Sequence, residues 1–137
     1  MRKRRANGSN QLVALNTQRR LAFNKGDEKA GVATCASPAS VVDDFAPHLW
    51  QGPTACADWA KAFDAEAARE GMTDGIVTIG TPRHDEVTGN VAYVVVPATF
   101  AYKLKGKPVV ERGNVFTAVL KKTSAGWHIA AWTWAKG

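Results

Sequence analysis

Three stretches decide the fold: Val91–Tyr102 (VAYVVVPATFAY), Val109–Leu120 (VVERGNVFTAVL) and Trp127–Trp134 (WHIAAWTW). Each is rich in β-branched and aromatic residues, the composition of strands packed on one face. A shorter run of the same kind, Ile76–Ile79, precedes them. The segments between are Gly89-Asn90, Lys105-Gly106-Lys107 and Thr123-Ser124-Ala125-Gly126, all turn-forming, so the strands should follow one another as an antiparallel meander. Pro97 lies inside the first long strand. It has no N–H to give to the ladder, and a bulge or bend is expected there. A long, bent sheet needs a cover on its concave side.

The upstream half supplies that cover. Ser9 or Asn10 is placed to cap a helix over Gln11–Lys25, whose Leu12, Leu15, Ala22 and Phe23 share one face. Gly26 ends it, and Asp27 is placed to cap a short second helix reaching about Cys35. Ser40–Phe45 reads as a short strand, Ala46–Gln51 as irregular, and Gly52-Pro53 as the start of a third helix that Gly71 closes. Cys56, Trp59, Ala60, Phe63 and Ala67 recur at helical spacing and mark its buried face. The expected fold is α+β, a curved antiparallel sheet wrapped around three N-terminal helices. At 137 residues the chain fits a single domain over residues 10–137, behind a basic, flexible tail over residues 1–9.

Composition narrows the function classes. The chain is 45% hydrophobic and 22% charged, which is ordinary globular usage, while its five tryptophans are many for this length. Arg2, Lys3, Arg4 and Arg5 supply four of the six net positive charges, leaving two for the rest. No basic stripe with interleaved aromatics continues into the body, so nucleic acid is not an expected partner. No apolar run approaches the roughly 20 residues of a membrane helix, and no apolar stretch follows the basic start as in a secretory signal. Cys35 and Cys56 show no CxxC spacing and stand without clustered histidines. No metal or other cofactor is expected, and both cysteines read as small buried hydrophobes in a reducing, cytoplasmic compartment.

The order helix, helix, strand, helix and then four strands resembles the nuclear transport factor 2-like superfamily, with its ketosteroid isomerases and SnoaL-like polyketide cyclases. The resemblance runs from about Gln11 to Lys136. It is carried by Asn24-Lys25-Gly26-Asp27, Val42-Asp43-Asp44-Phe45, Gly52-Pro53, and the ending Val119-Leu120-Lys121-Lys122 followed by Gly126-Trp127-His128-Ile129. It implies a cone-shaped fold around an apolar cavity, and a homodimer formed through the outer face of the sheet.

The resemblance also implies a base. Isomerases of this group carry an aspartate on the first strand that moves a proton α to a ketone, and Asp44 falls at that position. Neighbours on a strand point to opposite faces, so at most one of Asp43 and Asp44 faces inward. The oxyanion hole does not carry over: Arg19 stands at the tyrosine position and Phe116 near the second acid. Ketosteroid isomerisation itself is therefore not expected. Arg19 has three readings: an internal pair with Asp44, an anchor for a ligand anion, or a stem that snorkels to water. His48, in the loop beside Asp44, is a candidate acid/base assistant, or else a surface histidine.

Trp50, Trp59, Phe63, Tyr93, Phe100, Asn114, Phe116, Trp132 and Trp134 are the candidate pocket lining. They either surround a flat apolar cavity or fill the core. The functional expectation is a protein that binds a small apolar or aromatic ligand. It is an isomerase, dehydratase or cyclase using an Asp base on a cyclic ketone or polyketide-like compound, or a non-catalytic ligand-binding or dimeric interaction protein.

Overall fold

The computed structural model of the protein describes residues 28–137. The basic tail, the helix expected over Gln11–Lys25 and the candidate Arg19 lie outside the described residues. Within them the chain runs α1 (Glu28–Val32), β1 (Cys35–Val42), β2 (Leu49–Gly52), α2 (Ala55–Glu70), β3 (Met72–Ile79), β4 (His84–Thr88), β5 (Val91–Leu104), β6 (Lys107–Thr123) and β7 (Gly126–Ala135). The architecture is a mostly-sheet α+β fold whose curved sheet does not close on itself. No helix among the described residues is long and apolar enough to cross a membrane.

The expected meander is present in its last three strands: β5, β6 and β7 pair antiparallel in sequence order. The Gly89-Asn90 turn, however, joins β5 to β4, a strand not expected from the sequence, rather than to Ile76–Ile79. The sheet order is β2-β1-β7-β6-β5-β3, with β4 also on β5. Both β3 and β4 lie on the outer edge of β5, β4 along Val91–Val95 and β3 from Ala98 to Leu104. The handover falls at Pro97, where the ladder lacks a donor. The Pro97 carbonyl accepts the Gly80 N–H at 2.9 Å, and a Cβ on Gly80 would meet the Pro97 ring at 3.0 Å.

Four expectations change. The sheet is not wholly antiparallel, because β1 pairs parallel with β7. The first strand begins at Cys35, so the second helix stops at Val32 rather than at Cys35. The stretch after it is not irregular throughout, since Leu49–Gly52 turns back as β2 on β1. The third helix starts at Ala55 behind Thr54 rather than at Pro53, and ends as expected on Gly71, whose φ of 76° suits glycine.

The bulge expected at Pro97 lies instead on the facing strand. Ala98 pairs with Asn114 and Phe100 with Glu111, so Arg112 and Gly113 together oppose Thr99. Gly113 takes a φ of 79°, a value glycine adopts without steric cost. A second irregularity leaves Ala130 as the extra residue of β7, between Ile129 and Ala131. Each extra residue reverses the alternation of side chains beyond it. Ile129 and Trp132, three residues apart, consequently both enter the core, as do Val41, Val94, Val96, Phe116, Ala118 and Leu120.

The cysteine expectation is also corrected. Cys35 at the start of β1 and Cys56 in the first turn of α2 form a disulfide across a sequence separation of 21. Disulfides persist in oxidising surroundings, so the cysteines lend no support to the cytoplasmic expectation. Chain-entropy arguments assign a loop of this length about 3 kcal/mol of stabilisation, through the smaller freedom of the unfolded chain. Urea unfolding with and without a reductant should differ by about that amount, whereas a Cys35→Ala/Cys56→Ala double variant should not respond to the reductant.

Candidate functional site

The site starts from one side-chain alternation. Along β1, Ala39 and Val41 point into the core while Val42 is exposed. The same alternation carries past the strand end, so Asp43 turns inward and is only 8% exposed. Asp44, the expected base, faces the other way; its carboxylate lies 4.0 Å from the Lys136 ammonium at the surface. The inward aspartate is therefore Asp43.

A buried carboxyl needs donors, and Asp43 has two. The Trp59 Nε1–H donates to its Oδ2 at 2.8 Å, and the Asp44 N–H donates to its Oδ1 at 2.7 Å. Burial disfavours the charged form and raises the Asp43 pKa from 3.8 to about 6, the two hydrogen bonds opposing the rise. Trp59→Phe removes one of them. The pKa of Asp43 should then climb above about 6, and stability at pH 7 should fall by about 1.5–3 kcal/mol, the range for a bond to a charged group. At pH 4, where the carboxyl is protonated, the loss should be smaller, and urea unfolding at the two pH values measures the difference.

Trp59 belongs to a closed circuit of six ring contacts. It lies 5.5 Å from Phe63 and 5.0 Å, edge-on, from Trp132. Phe63 reaches Phe100 at 6.3 Å, and Phe100 reaches Trp134 at 6.4 Å. Phe116 completes the circuit, 6.4 Å from Trp134 and 5.6 Å from Trp132. Two rings come from α2 and four from the concave face of β5, β6 and β7. Separations of this size with tilted or edge-on geometry are favourable aromatic contacts.

The remaining sequence candidates distribute as follows. Trp50 is buried at the margin and packs on Phe45 at 5.2 Å. Asn114 is buried and donates from Nδ2 to the Glu111 carbonyl at 3.1 Å, tying down the β6 bulge. Tyr93 does not line the wall: it is 45% exposed on the outer face of β5, seven residues from the inward Phe100 and hence of opposite alternation. His48 is exposed in the β1–β2 turn, its Nδ1 3.0 Å from the carbonyl oxygen of Asp43 rather than from either carboxylate.

The sequence assigns no role to Glu111, and it offers Tyr102 only as one more aromatic that could line the pocket, with no polar partner. Tyr102 lies tilted against Phe100 with centroids 4.8 Å apart, and its hydroxyl donates to Glu111 Oε2 at 2.7 Å. The Glu111 carboxylate keeps the phenolic proton on, raising the Tyr102 pKa to about 12. The signal for Tyr102 was its spacing of two from Phe100. The signal for Glu111 was the glycine two residues later, which marks a bulge. Among the described residues, no group of three His, Cys, Asp or Glu side chains is placed to hold a metal ion.

Comparison with known proteins reports on the fold. No protein-family profile matches the sequence, and no curated protein does. Solved structures do. A nuclear transport factor 2-like superfamily protein from Salmonella enterica superposes with a TM-score of 0.76 at 14% identity, over 96% of this chain and 93% of that one. An NTF2-like protein with a cystatin-like fold from Novosphingobium aromaticivorans gives 0.75 at 17% identity, over 98% and 85%. The hexachlorocyclohexane dehydrochlorinase LinA-type3 from Novosphingobium barchaimii gives 0.76 at 12% identity, over 98% and 89%.

Proposed function

We propose that this chain, which has the nuclear transport factor 2-like fold, binds a small apolar or aromatic ring against its aromatic wall and moves a proton on it through Asp43. The observation that carries this reading is a carboxyl buried beside six contacting rings and bonded by the Trp59 indole, a setting in which burial pushes its pKa up to about 6. Such a group populates both its basic and its acidic form near neutrality, the condition for general acid–base work. As carboxylate, Asp43 takes a proton from a carbon next to a carbonyl, or next to the carbon that bears a leaving group, where the freed electron pair forms the new double bond. It then returns the proton to another carbon, as an isomerase does, or the leaving group departs with its bonding electrons, as in a lyase. A dehydrochlorinase among the structural neighbours supports the second course on this fold.

Within this reading the helix expected over Gln11–Lys25 completes a three-helix cover in a cone-shaped domain, and its Arg19 is a candidate anchor for a ligand anion. Self-association through the outer sheet face also belongs to it, supported by the exposed Val42, Val91, Tyr93 and Val110. A second reading, ligand binding without chemistry, is favoured by one fact: both Asp43 oxygens already accept a hydrogen bond.

Exchange of the α-protons of 2-tetralone in D2O, followed by NMR, separates the two. A proton-moving site accelerates exchange, and Asp43→Asn lowers that acceleration by about a hundredfold or more, the usual share of a general base. A thermal shift with 2-tetralone but no exchange favours the binding reading.

A further inference from the structure

From the β6 bulge we infer that Tyr102 and Glu111 form a second polar position on the aromatic wall, one that selects a ring bearing a hydroxyl group. The inference rests on the pocket reading above and names the ligand class for it.

Without the bulge, the alternation that sends Asn114 and Phe116 inward would send Arg112 inward and Glu111 to the outer face. The extra residue at Arg112–Gly113 reverses this and sets Glu111 opposite Phe100 on the inner face. Gly113 takes the positive φ that the arrangement needs, and the buried Asn114 amide bonds to the Glu111 carbonyl across it. The chain thus brings a carboxylate to the edge of an otherwise apolar wall, and bulges near functional sites commonly re-aim a side chain in this way.

The chemistry of the pair fixes what it recognises. The hydroxyl proton of Tyr102 is committed to Glu111 Oε2, and the phenol stays protonated up to about pH 12. The pair offers acceptors to a ligand: the phenolic oxygen, and the remaining lone pairs of a carboxylate with about four acceptor positions. A ligand that meets it must donate, and an anionic group is repelled. Phe100, next to Tyr102 at 4.8 Å and connected through Phe63 to Trp59, provides the flat surface between this position and Asp43. A hydroxylated flat ring satisfies both demands, whereas an aromatic carboxylate does not.

Three probes built on one fused ring system test this by quenching of tryptophan fluorescence: naphthalene, 2-naphthol and 2-naphthoate. Wild type should bind 2-naphthol at least tenfold more tightly than naphthalene, and 2-naphthoate most weakly. In Glu111→Gln the naphthol-to-naphthalene ratio should collapse toward one, and in Asp43→Asn the preference should persist. Naphthalene binding with no gain from the hydroxyl overturns the inference and leaves the pocket intact. A preference lost in Asp43→Asn but kept in Glu111→Gln assigns the hydroxyl to Asp43 and equally overturns it. Failure of all three probes to bind overturns the pocket reading along with it.

Discussion

Trp132→Ala is expected to cost about 3–5 kcal/mol of stability, the range for emptying the space of a large buried aromatic side chain. Trp132 is 3% exposed in the middle of β7, paired with Val41 on β1 and Ala118 on β6. Ala118 is itself fully buried and small, leaving room above it for the indole. Two ring contacts disappear at once, those to Trp59 and Phe116. The edge-on support of Trp59 goes with them, so the donor to Asp43 loses one wall of its seat. Urea unfolding should show a lower midpoint at an unchanged slope. A loss below about 1 kcal/mol would mean that the ring is peripheral to the core.

The second large effect concerns pH. Asp43 has a folded pKa of about 6 against an ordinary 3.8, so the folded chain binds this proton more tightly than the unfolded chain. Its contribution is most favourable below about pH 3.8 and is lost as pH rises through about 6. The difference corresponds to about 3 kcal/mol of stability between the two ends of that window. Asp43→Asn removes the titration while keeping the shape. All other carboxyls are shared by the two proteins, so the difference between their stability curves isolates Asp43. From pH 3.5 to pH 7 that difference should move by about 3 kcal/mol in favour of the variant. The variant starts from a deficit, because an amide accepts only on its oxygen and keeps one of the two bonds from Trp59 and Asp44.

The residues that announced the fold were those whose alternation had one solution. In β6, Asn114, Phe116, Ala118 and Leu120 are inward and their neighbours are not, and the turns on either side leave no other register. Trp132 and Trp134 were legible for the same reason. Val41-Val42-Asp43-Asp44 was not: either alternation offers one valine and one aspartate, so hydrophobicity does not choose between them. The choice is made by the pairing of β1 with β7 and β2, contacts distant in sequence. Tyr93 was misplaced because a bulge on β5 would have allowed it to share a face with Phe100; the extra residue is on β6 instead. The disulfide was invisible at a separation of 21, since only the packing of α2 on β1 brings the two sulfurs together. Arg19 lies outside the described residues, and its three readings stand as they did.

The claim on which the functional account depends is that Asp43 is an inward carboxyl with a proton to exchange near neutrality. Selective 13C labelling of aspartate and an NMR pH titration of the Asp43 carboxyl carbon measure this directly, with the resonance assigned by its disappearance in Asp43→Asn. The midpoint should fall at about 6 and move upward in Trp59→Phe as the indole bond is lost. A midpoint near 3.8 that does not respond to Trp59→Phe would show a solvated carboxylate, and the proton-transfer reading would then have no group to carry it.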